Sequence, residues 1–155
     1  MYLRVGGEEV QTVVEEFLES AEPFYDIAIW CSGFVLKQST VDALIDKFVP
    51  VDGGNFIFNP QRLNKEELEK LVVKCEMSDK KVCVTVPMNS ARSDDLTKLF
   101  DFEKYYSKMR ISHSAITGIR EGAKLAMRAW NPNPNELYFD WVEKDVATSW
   151  WSTYH

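Results

Sequence analysis

The sequence predicts a single α/β domain with a mixed sheet, and three observations carry that prediction. Segments of helical period alternate with short apolar runs through roughly the first hundred residues, the pattern of a parallel sheet covered by helices. Beyond them the alternation stops. Two adjacent strand-like runs flank Arg120-Glu121-Gly122-Ala123, a turn signal that makes them an antiparallel hairpin. No linker, repeat or low-complexity tract divides the 155 residues, so one domain over 1–155 is expected. A chain of that length hides roughly 70% of its unfolded surface without staples.

Each element has its own signal. Val10, Val13, Val14, Phe17, Leu18 and Ala21 recur at three- and four-residue spacing and predict an amphipathic helix over 8–21. Glu8, Glu9, Glu15, Glu16 and Glu19 then fall on its exposed side, and Pro23 ends it. The run 24–31 is apolar on both faces and reads as a central strand, with 81–86 beside it or one strand away. Ser39 opens a second helix, with Asp42 three residues on as a near capping box and Val41, Leu44, Ile45 and Phe48 facing the core. Asp52-Gly53-Gly54 turns the chain into a short strand at 55–58, which Asn59-Pro60 stops.

Asn64 and Glu67 have capping-box spacing at the head of a third helix, whose stripe is Leu68, Leu71, Val72 and Cys75. The β-branched run 81–86 is the clearest strand. Ser93 is expected to cap a fourth helix carrying Leu96, Leu99 and Phe100. Strands follow at 109–119 and 124–130. Residues 131–135 hold two prolines and are expected to be irregular, because proline removes a donor and fixes φ. A last strand at 136–142 leads into a helix at 145–154 bearing Trp150 and Trp151.

Composition narrows the function classes. Hydrophobic residues make up 45% and charged residues 27%, which supports a folded core and argues against disorder. No apolar run approaches the ~18 residues of a membrane span. Met1 to Gly7 lacks the long apolar stretch of a secretory signal, so no membrane association and a cytoplasmic location are expected. Three scattered cysteines, with no CxxC and no nearby histidine, read as reduced core residues. No metal and no cofactor are expected from them.

The net charge of −6 conceals an asymmetry. Lys104, Lys108, Arg110, Arg120, Lys124 and Arg128 against Glu121 give 104–128 a net +5, leaving −11 elsewhere. A basic segment in an acidic chain is either a solvated face or the footprint of a phosphate or nucleic acid. His113 lies within it, the other histidine being His155. No serine or cysteine elbow accompanies His113, and Gly6-Gly7 and Gly53-Gly54 are isolated pairs, so neither a triad nor a phosphate loop is present. Asp94-Asp95 occupy a first helical turn, where the dipole already favours them.

The order of elements around His113 resembles the single-domain nucleases of the phospholipase D-like superfamily. Their pattern is a strand bearing H-x-K-x4-D, a hairpin, a strand ending in G-S-x-N, then a strand and a helix. Here His113 matches the family histidine, which serves as phosphate nucleophile or leaving-group acid. Ala115 stands at the lysine position, Arg120 at the aspartate position, and Arg128-Ala129-Trp130-Asn131 at G-S-x-N, keeping only Asn131. The resemblance implies a phospholipase D-like fold and a catalytic role for His113. It also implies a phosphate or nucleic-acid site drawn from Arg110, Arg120, Lys124, Arg128 and Asn131.

The losses imply a non-catalytic binding or regulatory protein, with a protein partner or a phosphate-containing ligand. The enzymatic alternative is a phosphodiesterase or nuclease using His113 in a homodimer, since one chain offers half of a two-histidine site. A third alternative is an acidic inhibitor that presents its carboxylate-rich first helix to a basic host protein.

Overall fold

Ile27, Ala28 and Ile29 have nothing polar to offer water, and strand β2 (Ile27–Ser32) buries all three. It lies between β1 (Tyr2–Gly6) and β3 (Asn55–Phe58), both parallel to it. β4 (Cys83–Pro87) follows in parallel beside β3, so the run 81–86 stands one strand from β2. The chain then reverses. β8 (Glu136–Glu143) pairs antiparallel with β4, followed outward by β7 (Leu125–Asn133), β6 (Ala115–Ile119) and β5 (Lys108–Ile111). The result is one mixed sheet in the order β1-β2-β3-β4-β8-β7-β6-β5. This computed structural model describes residues 2–6, 11–20, 22–33, 35–88, 96–112, 115–133 and 135–147.

Helices α1 (Gln11–Ser20), α2 (Gln38–Lys47) and α3 (Lys65–Ser78) connect the parallel strands in turn. Because β1 to β4 advance across the sheet in one direction, right-handed crossovers place all three helices on one face. There Phe56, Phe58, Val84, Val86, Phe139 and Trp141 meet Leu18, Leu44, Ile45, Leu71 and Cys75 in a single core. The capping box is formed as its spacing predicts. Glu67 N–H donates to Asn64 Oδ1 at 2.8 Å, and Asn64 N–H donates to Glu67 Oε1 at 2.8 Å.

Several expectations are corrected. Strand β1 has no clear sequence signal. The first helix turns Val14, Glu15 and Leu18 inward and leaves Val13 67% and Phe17 51% exposed. The reason is polar: Lys37 N–H, at the head of α2, donates to Glu15 Oε2 at 2.6 Å. Ser39 lies inside α2 and donates to Glu19 Oε1 at 2.7 Å; Lys37 holds the N-cap position without a side-chain bond. Two carboxylates of α1 thus sit at the positive end of the α2 dipole and are engaged within the fold.

Cys75 is buried, whereas Cys31 is half-buried and Cys83 exposed. The run 109–119 is two strands, with β5 and β6 antiparallel and Ser112 N–H donating to Ala115 O at 2.9 Å. Residues 131–133 are more regular than expected of the segment 131–135. β7 continues to Asn133 through a register irregularity after Trp130, the kind of place where a strand tolerates proline. Phe24 makes only an isolated bridge to Phe48. The turn 120–123 closes as expected, with Ala123 N–H donating to Arg120 O at 3.0 Å and Gly122 at φ 81°. Leu96, Phe100 and Leu99 approach the core as expected, while Ser93, Val10, Ala21, Trp150 and Trp151 lie outside the described residues.

Candidate functional site

Directly paired residues on neighbouring strands point to the same side of a sheet, so the register assigns every side chain a face. On the face turned away from α1–α3, one row crosses five strands: Arg110 (β5), Thr117 (β6), Arg128 (β7), Asp140 (β8) and Cys83 (β4). Lys108, one step along β5, and Arg4, on β1, share this face. Three of the six basic residues in 104–128 therefore come together, namely Lys108, Arg110 and Arg128.

Aromatic rings interleave with the cations. The Arg128 guanidinium lies 4.5 Å from the centre of the Trp130 ring, and Trp130 meets Tyr138 edge to face at 5.2 Å. At the far end the Arg4 guanidinium lies 5.0 Å from the Trp30 ring. Asp140, opposite Arg128, is half-buried, and burial pushes its carboxyl above the usual carboxylate range while Arg128 draws it back in part. Among the described residues, Asp140 Oδ1, Trp130 Nε1 and Asn131 Oδ1 are buried without a hydrogen-bond partner. Such atoms normally find a partner in protein, water or ligand.

The other residues of the expected site go elsewhere. Arg120 donates from Nε to Glu76 Oε2 at 3.2 Å and lies 3.8 Å from Asp79, both on the α3 side. Lys124 is exposed beside the hairpin turn, and Lys104 is engaged with Glu69 and the Tyr105 ring. Asn131 is buried on β7 just past Trp130, and Ala115 is buried opposite Trp130. His113 lies outside the described residues.

Sequence reasoning missed Trp130, Tyr138 and Asp140. The signal was the alternation Leu137-Tyr138-Phe139-Asp140-Trp141 in β8, which sends the two polar-tipped residues and Trp130 to one face. Chemically the row presents two arginines and a threonine on one face, with the Trp130 and Tyr138 rings beside Arg128. The described residues include no cluster of three or more His, Cys, Asp or Glu able to hold a metal, and no helix long and apolar enough to cross a membrane. Set against known proteins, the chain matches no family model, no curated protein and no solved structure.

Proposed function

We propose that the chain is a binding protein rather than a turnover catalyst, on a scaffold of phospholipase D-like element order. In this reading the Arg110–Thr117–Arg128 row takes the phosphate of a phosphate-containing ligand. The observation that supports it is the placement of Arg110 and Arg128 on one face with Thr117 between them. Strands lie ~4.8 Å apart, so the two arginine backbones stand about 10 Å apart across β6. Long side chains on either side can converge over the Thr117 hydroxyl, and each guanidinium offers a fork of donors matched to phosphate oxygens. Neighbouring Trp130 and Tyr138 provide stacking surface for a base.

Turnover has weaker support. A histidine nucleophile needs an acceptor to fix its tautomer, and the phosphoryl oxygens need cations. Ala115 supplies no charge, and Arg120 is directed to Glu76. Loss of one such group costs on the order of 10²–10⁴ in rate, so loss of two leaves activity near background.

The test is a fluorescence-anisotropy titration with a labelled single-stranded oligonucleotide and pyrophosphate as competitor, run beside hydrolysis of a generic phosphodiester. Expected are binding that weakens with salt, a loss of about tenfold or more in Arg110→Ala and Arg128→Ala, and equal background hydrolysis in wild type and His113→Ala. Cleavage abolished by His113→Ala would overturn the reading in favour of the phosphodiesterase. Absence of saturable binding to either phosphate probe would overturn it as well.

A further inference from the structure

A cavity of about 200 Å³ opens on the same face of the sheet, beyond the Trp130–Tyr138 ring pair that flanks Arg128. It lies at the carboxyl ends of the parallel strands β2, β3 and β4, where β8 begins beside them. Ligands of open α/β sheets characteristically bind at that end of the strands. Trp30 and Tyr138 supply aromatic wall, Ile57 apolar surface, Asn59 and Thr85 neutral polar atoms, and Glu136 a carboxylate.

The chemistry of that lining selects among ligands. Among the described residues that line it, Glu136 is the one ionisable carboxylate, and none is a lysine, arginine or histidine. An anion would face the Glu136 carboxylate with no cation in the described lining, and a neutral apolar group would leave the half-buried carboxylate without a counter-charge. A cation satisfies both parts of the wall, because the faces of Trp and Tyr rings attract positive charge as a carboxylate does. The fold already uses one of these rings in that way, since Arg4 lies 5.0 Å from Trp30. Glu136 and Tyr138 are two residues apart on one face of β8, and the Glu136 carboxylate pushes the Tyr138 phenol above its ordinary range.

Size narrows the class further. Typical pockets for drug-sized ligands and cofactors run from ~300 to ~1,000 Å³. At about 200 Å³ this cavity falls below that range. That suits a compact headgroup or the end of one side chain, and is too small for a nucleotide. The net charge of −6 draws cations toward the molecule as a whole.

We propose that this cavity, framed by Trp30, Tyr138 and Glu136, is a binding site for an organic cation, an alkylammonium or guanidinium group. The source is either a small free cation or the tip of a lysine, methylated lysine or arginine on a protein. The site shares the Tyr138 ring with the surface beside Arg128, but its charge recognition rests on Glu136 and Trp30 and not on the arginine row.

Isothermal titration calorimetry of the full chain tests the assignment, with tetramethylammonium, choline and the uncharged isostere of choline in which carbon replaces nitrogen. Short peptides carrying lysine, trimethyllysine or arginine form a second arm. The expected result is saturable binding of at least one cation, with the isostere at least about tenfold weaker than choline. Glu136→Gln, which preserves shape, should weaken the cation about tenfold or more, and Trp30→Leu should act in the same direction. Arg110→Ala, on the strand farther from the cavity, should leave cation affinity unchanged, which separates this site from the phosphate reading. A peptide that binds more tightly than the free cations identifies a protein side chain as the source; the reverse order identifies a small molecule. Equal affinity for choline and its isostere, full affinity in Glu136→Gln, or no saturable binding by any cation would overturn the proposal.

Discussion

Trp141 Nε1 donates to Glu76 Oε1 at 3.0 Å, and through that bond a carboxylate on α3 is fastened to the central antiparallel strand. The same carboxylate accepts from Arg120 Nε at 3.2 Å, so one buried acid ties α3 to both β8 and the β6–β7 turn. Removing it strands a buried indole N–H and leaves a mostly buried guanidinium with the longer contact to Asp79. Glu76→Ala should therefore cost about 3 kcal/mol, the low end for breaking a buried pair because Arg120 retains some solvent contact. Glu76→Gln keeps an acceptor for the indole and should cost less, about 1–2 kcal/mol. Urea denaturation of the three proteins measures the difference. Equal stabilities would show that the Arg120 position carries no structural role.

Gly118 gives a second stability test on the same side of the sheet. A Cβ there would lie 2.7 Å from Tyr106 Cγ and 2.9 Å from Cδ1, closer than van der Waals contact permits. Tyr106 is buried in the core and has no room to withdraw. Gly118→Ala should cost about 1–3 kcal/mol through overpacking, visible as a lower urea midpoint with an unchanged slope. Gly122, with open space around its Cβ position but φ 81°, should respond to alanine through backbone strain alone.

What the sequence reveals about this fold depends on whether the deciding partner is local. The Asn64–Glu67 capping box and the 120–123 turn are written in neighbouring residues, and both form as read. The first helix offers two apolar stripes one residue apart, and the choice is made by a Glu15 contact 22 residues away. Nothing within α1 reveals it. β5 ends at Ile111 and β6 starts at Ala115 within a run whose β propensity is continuous, so pattern alone joins the two. At the candidate site the basic segment is legible as a segment, but its division is not. Arg110 and Arg128 share a face through β6, while Arg120 is drawn off by a glutamate 44 residues earlier in the chain.

Asp140 should make stability and anion affinity depend on pH. Its folded pKa is raised, chiefly by burial, above the ~3.9 of an unfolded aspartate. The folded state thus holds the proton more tightly than the unfolded state. Stability from this group is present below about pH 4 and is lost as pH rises through the raised pKa. Asp140→Asn has no proton to release, so its stability relative to wild type should improve from acid to neutral pH. Urea midpoints at intervals between pH 3 and 8 check the sign. The same variant removes a negative charge opposite Arg128 and should bind pyrophosphate several-fold more tightly at neutral pH. Weaker binding would mean that Asp140 orients Arg128 rather than opposing the ligand.

Cys83 offers a direct probe of the same face, because it is exposed and stands directly across from Asp140 in the row that contains Arg128. Partial burial, with the Asp140 carboxylate adding to it, pushes its thiol above the ordinary thiol range. The thiolate is the reactive form, so alkylation by iodoacetamide should be slow at pH 7 and should accelerate with pH beyond the ~8.5 midpoint of a free cysteine. Cys75 is buried in the core and its thiol is pushed far upward, so it should react only on unfolding. Native labelling should therefore modify Cys83 well before Cys75, with mass spectrometry locating the adduct. If a phosphate-containing ligand occupies the Arg110–Arg128 row, a saturating oligonucleotide should slow labelling of Cys83, which stands two strands (about 10 Å) from Arg128 and three (about 14 Å) from Thr117. It should leave the behaviour of Cys75 unchanged. Unaltered labelling of Cys83 at saturation would place the bound ligand on some other surface.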